Sequence, residues 1–302
     1  MTAVDQVQLN FNPAALATLN WILAVVMFGV ALDLRVDDFR RVLRAPWAPL
    51  VGLTCQFLLM PAFATVILLL LQPEPSVALG VVLVAACPGG NVSNFLASLG
   101  RGNAALSISL SSISTLASIV MTPLNFLFWG SVNPHTAPLL KQISLAPADI
   151  VSTVFTILIL PTLLGMALAR WRPHWAAVLL RPMRIFSIVV LFVFVAGAVQ
   201  ANLQHFIDYI GVTFWVVLIV NVVALALGYS AARLARLNAA DARAVSFETG
   251  IQNSGFGLIL CFNFFAGLGG MAIAAAWWGI WHLISGLALA TWWSRRDPAE
   301  AT

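Results

Sequence analysis

The chain alternates long apolar runs with short polar stretches, and each run is long enough for a helix to cross a bilayer. The runs predict helices over 14–34, 47–71, 77–99, 103–129, 149–169, 185–203, 211–232, 245–266 and 269–293. They are too long for the strands of a membrane barrel. Met1–Pro13 carries Asp5 and no base, so it lacks the positive start of a signal peptide, and the first run is expected to be retained. Seven of the runs are evenly greasy. Two are interrupted near their middles: 77–99 by CPGGNVSN (87–94) and 245–266 by ETGIQNSG (248–255).

Composition agrees with an all-α polytopic membrane protein of about nine transmembrane helices. Of 302 residues, 61% are hydrophobic and 9% charged, against about 25% charged in soluble domains. Cys55, Cys87 and Cys261 all fall inside apolar runs and read as buried thiols, not a disulfide set or a metal site. The pI near 9.5 has a topological cause. On the nine-span reading, the arginines of loops 35–46, 170–184 and 233–244, together with Arg101, Arg295 and Arg296, lie on one side. That is fourteen of the fifteen basic residues, with Lys141 alone opposite. The positive-inside rule then puts the N-terminus outside and the C-terminus in the cytoplasm of a cell (inner) membrane. It removes any need for a nucleic-acid partner.

Pro88, Gly89 and Gly90 interrupt one helix, and Gly250 and Gly255 the other. The two runs cross in opposite directions, each between two unbroken spans. This is the inverted-repeat pattern of secondary transporters, in which unwound helices free carbonyls for cations and turn half-helix N-termini toward anions. Kinked helices packed through small residues are the plainer alternative. They explain the glycines, but not the polar residues beside both breaks.

Of eleven Asp and Glu residues, Glu248 alone falls in the membrane interior. A charge there costs about 3 kcal/mol on insertion scales, and an intramembrane acid is a functional candidate. A neutral, hydrogen-bonded acid is the alternative. Ser107, Ser111, Ser114 and Ser118 recur at helical spacing along one face of 103–129, either as hydroxyl ligands or as helix glue. Gln56 is the strongly polar residue midway along 47–71, a ligand or a packing amide. Hydroxyls, amides, carbonyls and one carboxylate suit a hard cation. A single acid favours a monovalent ion, sodium above all, over calcium. A sodium/proton antiporter would want a second membrane acid. An intramembrane enzyme would need an acid dyad, HExxH or GxSxG with histidine, and none occurs.

The motifs ACPGGNVSN (86–94), RGNAALSISLSSIST (101–115), ETGIQNSG (248–255) and WHLISG (281–286) resemble those of the bile acid:sodium symporter family. The resemblance covers nearly the whole chain and points to a bacterial-type member of nine spans. It implies one transmembrane unit over 1–302, with two crossed, discontinuous helices in a core domain (47–129 and 211–293) and a panel domain (14–34 and 149–203) that rocks against it. Carried over by position, a first sodium site comprises Ser93, Asn94, Ser107, Ser111 and Glu248. A second comprises Gln56, Glu248, Gln252 and the carbonyls of Thr249 and Ile251. Substrate would meet Asn91, Asn253, His282 and Leu283. Leu283 stands where several relatives carry asparagine, and Asn91 where some carry threonine, so the substrate wall differs while the ion machinery is kept. His282, among tryptophans, also reads as a packed histidine bonded to a carbonyl. The implied function is not enzymatic: a sodium-coupled symporter importing a small organic anion, carboxylate or bile-acid-like, with two Na+ ions.

Overall fold

The computed structural model describes residues 13–32, 42–90, 92–142, 156, 159–201, 203–265 and 267–297. Among these the chain is helical, and an isolated antiparallel bridge joins Gly89 to Gln252. Helix α1 spans Pro13–Ala31, and α2 spans Trp47–Leu71 with a π turn at Cys55–Leu59. The first interrupted run forms α3 (Pro75–Ala86) and α4 (Val92–Leu99). Then come α5 (Ala104–Val132), the short α6 (Ala137–Gln142), α7 (Leu160–Trp171), α8 (Pro173–Ala201) and α9 (Leu203–Leu234). The second interrupted run forms α10 (Ala239–Gly250) and α11 (Ser254–Phe264), and α12 (Gly269–Ser294) follows. Among the described residues four helices are long and apolar enough to cross a membrane: α2, α5, α12 and Thr213–Leu234 of α9. Asn20–Ala31, α3 and α11 are apolar but shorter, the last two because each is half of a broken run.

Helix α3 is the centre of the fold. Pro75 starts it, where a missing N–H costs nothing, and every residue from Ser76 to Ala86 is buried. A helix that is apolar all round belongs inside a protein, and α3 is enclosed by α12, α5, α11 and the second half of α2. Its approach to α12 needs a small residue. A Cβ on Gly80 would stand 2.7 Å from the Met271 Cα and carbonyl oxygen. Helix α9 lies along α10 and α12. Helices α1, α7 and α8 pack on one another, and α1 also touches α11.

The helices overrun several predicted ends. The stretch 170–184 is not a loop. Helix α7 runs to Trp171 and α8 starts at Pro173, so Arg170, Arg181 and Arg184 are helical and only Arg172 lies between. Hydropathy marks the part of a helix that lipid can cover, and α8 continues beyond it. Likewise 233–244 shrinks to a turn, because α10 begins at Ala239. Arg243 thus sits inside a helix and is buried, donating to the carbonyls of Gly100 at 3.0 Å and Arg296 at 3.1 Å. Asp241 is no idle surface acid. Asn238 and Asn103 cap α10 and α5 by accepting from Asp241 N and Leu106 N. Asp241 accepts from both amides, at 2.8 Å from Asn238 Nδ2 and 2.7 Å from Asn103 Nδ2, and so ties the two helix starts together.

Candidate functional site

The two breaks meet. Gly90 N donates to Ile251 O at 2.8 Å and Asn253 N to Pro88 O at 2.9 Å. Two interrupted helices thereby satisfy part of each other's exposed backbone, as buried polar groups must. Four more of the carbonyls there find side-chain donors. Thr122 Oγ1 reaches Ala86 O at 2.8 Å and Gln56 Nε2 reaches Cys87 O at 2.7 Å. Ser93 donates to Gly90 O, and Gln252 Nε2 to Thr249 O at 2.8 Å. The crossing brings together the C-terminal ends of α3 and α10 and the N-terminal ends of α4 and α11, partial charges of both signs in one place. Contact is close. A Cβ on Gly89 would overlap Glu248 Oε2, and one on Gly90 would stand 3.2 Å from Gln252 O.

Glu248, in the last turns of α10, is buried. Its Oε1 accepts from Ser93 Oγ in a short hydrogen bond, from Ser107 Oγ at 2.7 Å and from Ser111 Oγ at 2.8 Å. Asn94 Oδ1 lies 2.8 Å from Ser107 Oγ and 3.1 Å from Ser111 Oγ. Helices α4, α5 and α10 thus deliver to one cluster the five residues expected together from the sequence. Each hydroxyl carries one proton, yet Ser107 and Ser111 each face two acceptors, and Ser93 faces Glu248 and Gly90 O. Oxygen lone pairs outnumber protons. That surplus of hard oxygen is the chemistry that holds a cation such as sodium. Among the described residues no group of three or more His, Cys, Asp or Glu could hold a transition metal.

Gln56 occupies the π turn of α2. Pro61 accounts for the turn, since it has no N–H for the carbonyl four residues back and its ring crowds that carbonyl. The widened turn aims the Gln56 amide at the crossing, where Nε2 donates to Gln252 Oε1 at 2.8 Å as well as to Cys87 O. Gln56 Oε1 is buried with no hydrogen-bond partner. Gln56, Gln252 and the Thr249 and Ile251 carbonyls therefore adjoin the crossing, with one oxygen uncommitted.

The substrate-side residues are more scattered. Asn253 caps α11, accepting from Phe256 N at 3.1 Å. His282 on α12 is buried and its Nδ1 has no hydrogen-bond partner. Leu283 beside it is 43% exposed. Asn91 lies outside the described residues. Thr122 and Asn221, both buried, escaped the sequence reading. Asn221 on α9 donates through Nδ2 to Gly250 O at 2.8 Å. Its signal was an amide midway along an apolar span, the same signal that singled out Gln56.

The model of the Sodium Bile acid symporter family matches residues 21–230, most of the chain. The protein belongs to that family. It is similar to the uncharacterized sodium-dependent transporter YocS of Bacillus subtilis (strain 168), 30% identical over 91% of this chain and 82% of that protein. It is similar to the human ileal sodium/bile acid cotransporter, 30% identical over 81% of this chain and 70% of that one. A probable chloroplastic sodium/metabolite cotransporter of Arabidopsis thaliana, BASS1, is 28% identical over 94% of this chain and 70% of its own. The family and these relatives are transporters, not enzymes, and sodium-coupled transport across a membrane by a multi-pass helical protein is the function they share with this chain.

Proposed function

We propose that the protein imports a small organic anion by alternating access, driven by two sodium ions. The observation that carries this reading is the cluster at Glu248, where hydroxyl, amide and carboxylate oxygens converge with too few protons to pair them. The first ion takes Ser93, Asn94, Ser107, Ser111 and Glu248. The second takes Gln56, whose Oε1 is uncommitted, with Glu248, Gln252 and the carbonyls of Thr249 and Ile251. Two sodium ions beside one carboxylate leave a single positive charge, which a monovalent anion neutralises. The N-terminal ends of α4 and α11 add positive potential. Asn91, Asn253, His282 and Leu283 form the substrate wall. Relatives named for bile acids and for metabolites are consistent with an organic anion, and Leu283 in the wall favours a carboxylate other than a bile salt.

Nine crossings account for the chain: α1, α2, α3 with α4, α5, the span ending in α7, α8, α9, α10 with α11, and α12. The N-terminus is outside and the C-terminus in the cytoplasm of the cell membrane. Helices from α2 to α5 and from α9 to α12 form inverted repeats of one core. Helices α1, α7 and α8, which pack on one another, form the panel that moves against it. Sodium ties α4, α5 and α10 to one carboxylate and so favours the conformation that binds substrate, which is how two ligands become coupled. The test is uptake of a panel of carboxylates by proteoliposomes with and without an inward sodium gradient. Uptake of at least one monovalent carboxylate should require the gradient and saturate with sodium. Gradient-independent uptake of every accepted compound would overturn coupled import.

A further inference from the structure

Each interrupted helix has a buried amide from the long helix before it in the chain. Gln56 of α2 donates to Cys87 O, one residue beyond the end of α3, at 2.7 Å. Asn221 of α9 donates to Gly250 O, the last residue of α10, at 2.8 Å. Asn221 is fully buried. Its other end is fixed as well, because Ser285 Oγ of α12 donates to Asn221 Oδ1 at 2.5 Å. That hydroxyl also lies 3.3 Å from His282 O. Gly250 O, an acceptor only, dictates that the amide turns its nitrogen toward it, and the Ser285 proton directed at Oδ1 holds the other end.

Gly250 lies between Thr249 and Ile251, and both neighbouring carbonyls belong to the proposed second sodium site. Successive carbonyls in an unwinding segment point in different directions, so the direction of Gly250 O constrains the other two. We infer that Asn221, locked by Ser285, is a positioning residue for that second site: it holds Gly250 O away from the ion and thereby sets the Thr249 and Ile251 carbonyls. This inference rests on the sodium reading above. Neither Asn221 nor Ser285 is a ligand. Their chain of hydrogen bonds runs from α12 beside His282, on the substrate wall, to α10 beside Glu248, and so links the two binding regions through α9.

The experiment measures sodium-dependent thermal stabilisation and sodium-dependent uptake for the wild type and for Asn221→Asp, Ser285→Ala and Ser285→Thr. Ser285→Ala removes the proton that fixes the amide, and Ser285→Thr keeps it. The half-saturating sodium concentration should rise about fivefold in Ser285→Ala, the worth of one net hydrogen bond, and more in Asn221→Asp, which lacks the donor. Ser285→Thr should return to within about twofold of wild type, within the error of a few tenths of a kcal/mol expected of such comparisons. The substrate concentration for half-maximal uptake, measured at saturating sodium, should stay unchanged throughout. A general packing defect would lower stability in sodium-free buffer without changing the sodium midpoint. Wild-type midpoints in Ser285→Ala overturn the inference even if Asn221→Asp fails to insert. A wild-type protein that no sodium concentration stabilises overturns the sodium reading itself, a separate result.

Discussion

Three hydroxyls converge on Glu248. Hydrogen bonds to a charged acceptor contribute about 1.5–3 kcal/mol each, and Ser93, Ser107 and Ser111 all reach Oε1. On the proposed reading these hydroxyls and the two cations together offset the roughly 3 kcal/mol insertion cost of the charge. Once those three protons point at Glu248, Asn94 Oδ1 and the hydroxyl lone pairs are left without protons, as the proposed cation site requires. Glu248→Gln keeps the shape and removes the charge, so the loaded site goes from one net positive charge to two. Sodium affinity should fall at least about tenfold, or about 1.4 kcal/mol, while insertion is retained, because an amide costs the membrane less than an ion. Calorimetric sodium titration of purified protein checks this, and wild-type affinity in the mutant would remove Glu248 from the ligand set. Leu283 makes a different prediction. It is exposed beside buried His282 and outside the hydroxyl cluster. Leu283→Asn should therefore change the ranking of carboxylates in uptake assays and leave the sodium midpoint in place. The reverse pattern would take position 283 off the substrate wall.

At the level of helices, Gly89→Ala tests the crossing. The added methyl would overlap Glu248 Oε2 beside the bridge to Gln252. Overpacking of this kind costs about 1–3 kcal/mol, so the mutant should melt at lower temperature in detergent and lose uptake; unchanged melting would mean that the two breaks separate easily. Asp241→Asn tests the paired helix starts. An amide leaves one oxygen where the carboxylate has two acceptors for Asn103 and Asn238, a loss of about 1 kcal/mol, read as a lower midpoint of thermal unfolding with the sodium midpoint unchanged. Much of this level was legible in the sequence. Pro88, Gly89, Gly90 and Gly250 mark the breaks by local chemistry, whereas Gly255, expected at the second break, lies inside α11; the serine spacing on α5 puts Ser107 and Ser111 on one face. What the sequence could not reveal depends on distant pairings. The π turn at Gln56, the bond from Asn221 to Gly250 and the bridge from Asp241 to Asn103 all join residues far apart in the chain or respond to a neighbouring proline. The overrun of α8 into 173–184 escaped for another reason: apolar runs report lipid coverage, and a helix need not stop where lipid does.

For the molecule as a whole, burial and charge make one statement. Among the described residues α3, buried from Ser76 to Ala86, sits among α12, α5, α11 and α2, while α1, α7 and α8 pack on one another and α1 also on α11. On the proposed core-and-panel division, the second group of helices moves beside the centre without pulling the Glu248 cluster apart. On the proposed alternating-access reading the site opens to each side in turn and the sodium gradient sets the direction of net transport, so the orientation of the chain decides only which loops face the cytoplasm. The positive-inside rule is the basis of the orientation proposed here. Arg236, in the turn before α10, and Lys141, at the end of α6, are both exposed. Only an odd number of crossings between them puts them on opposite sides, and the nine-span assignment supplies three: the span ending in α7, then α8, then α9. Cys55, Cys87 and Cys261 are buried, and replacing them with alanine leaves a background in which an introduced thiol reports alone. A cysteine at 141 in intact cells should react with a membrane-impermeant maleimide. A cysteine at 236 should react only after the membrane is permeabilised. Labelling of both positions from the same side would require an even number of crossings between α6 and α10, and would reverse the direction in which one half of the crossing faces.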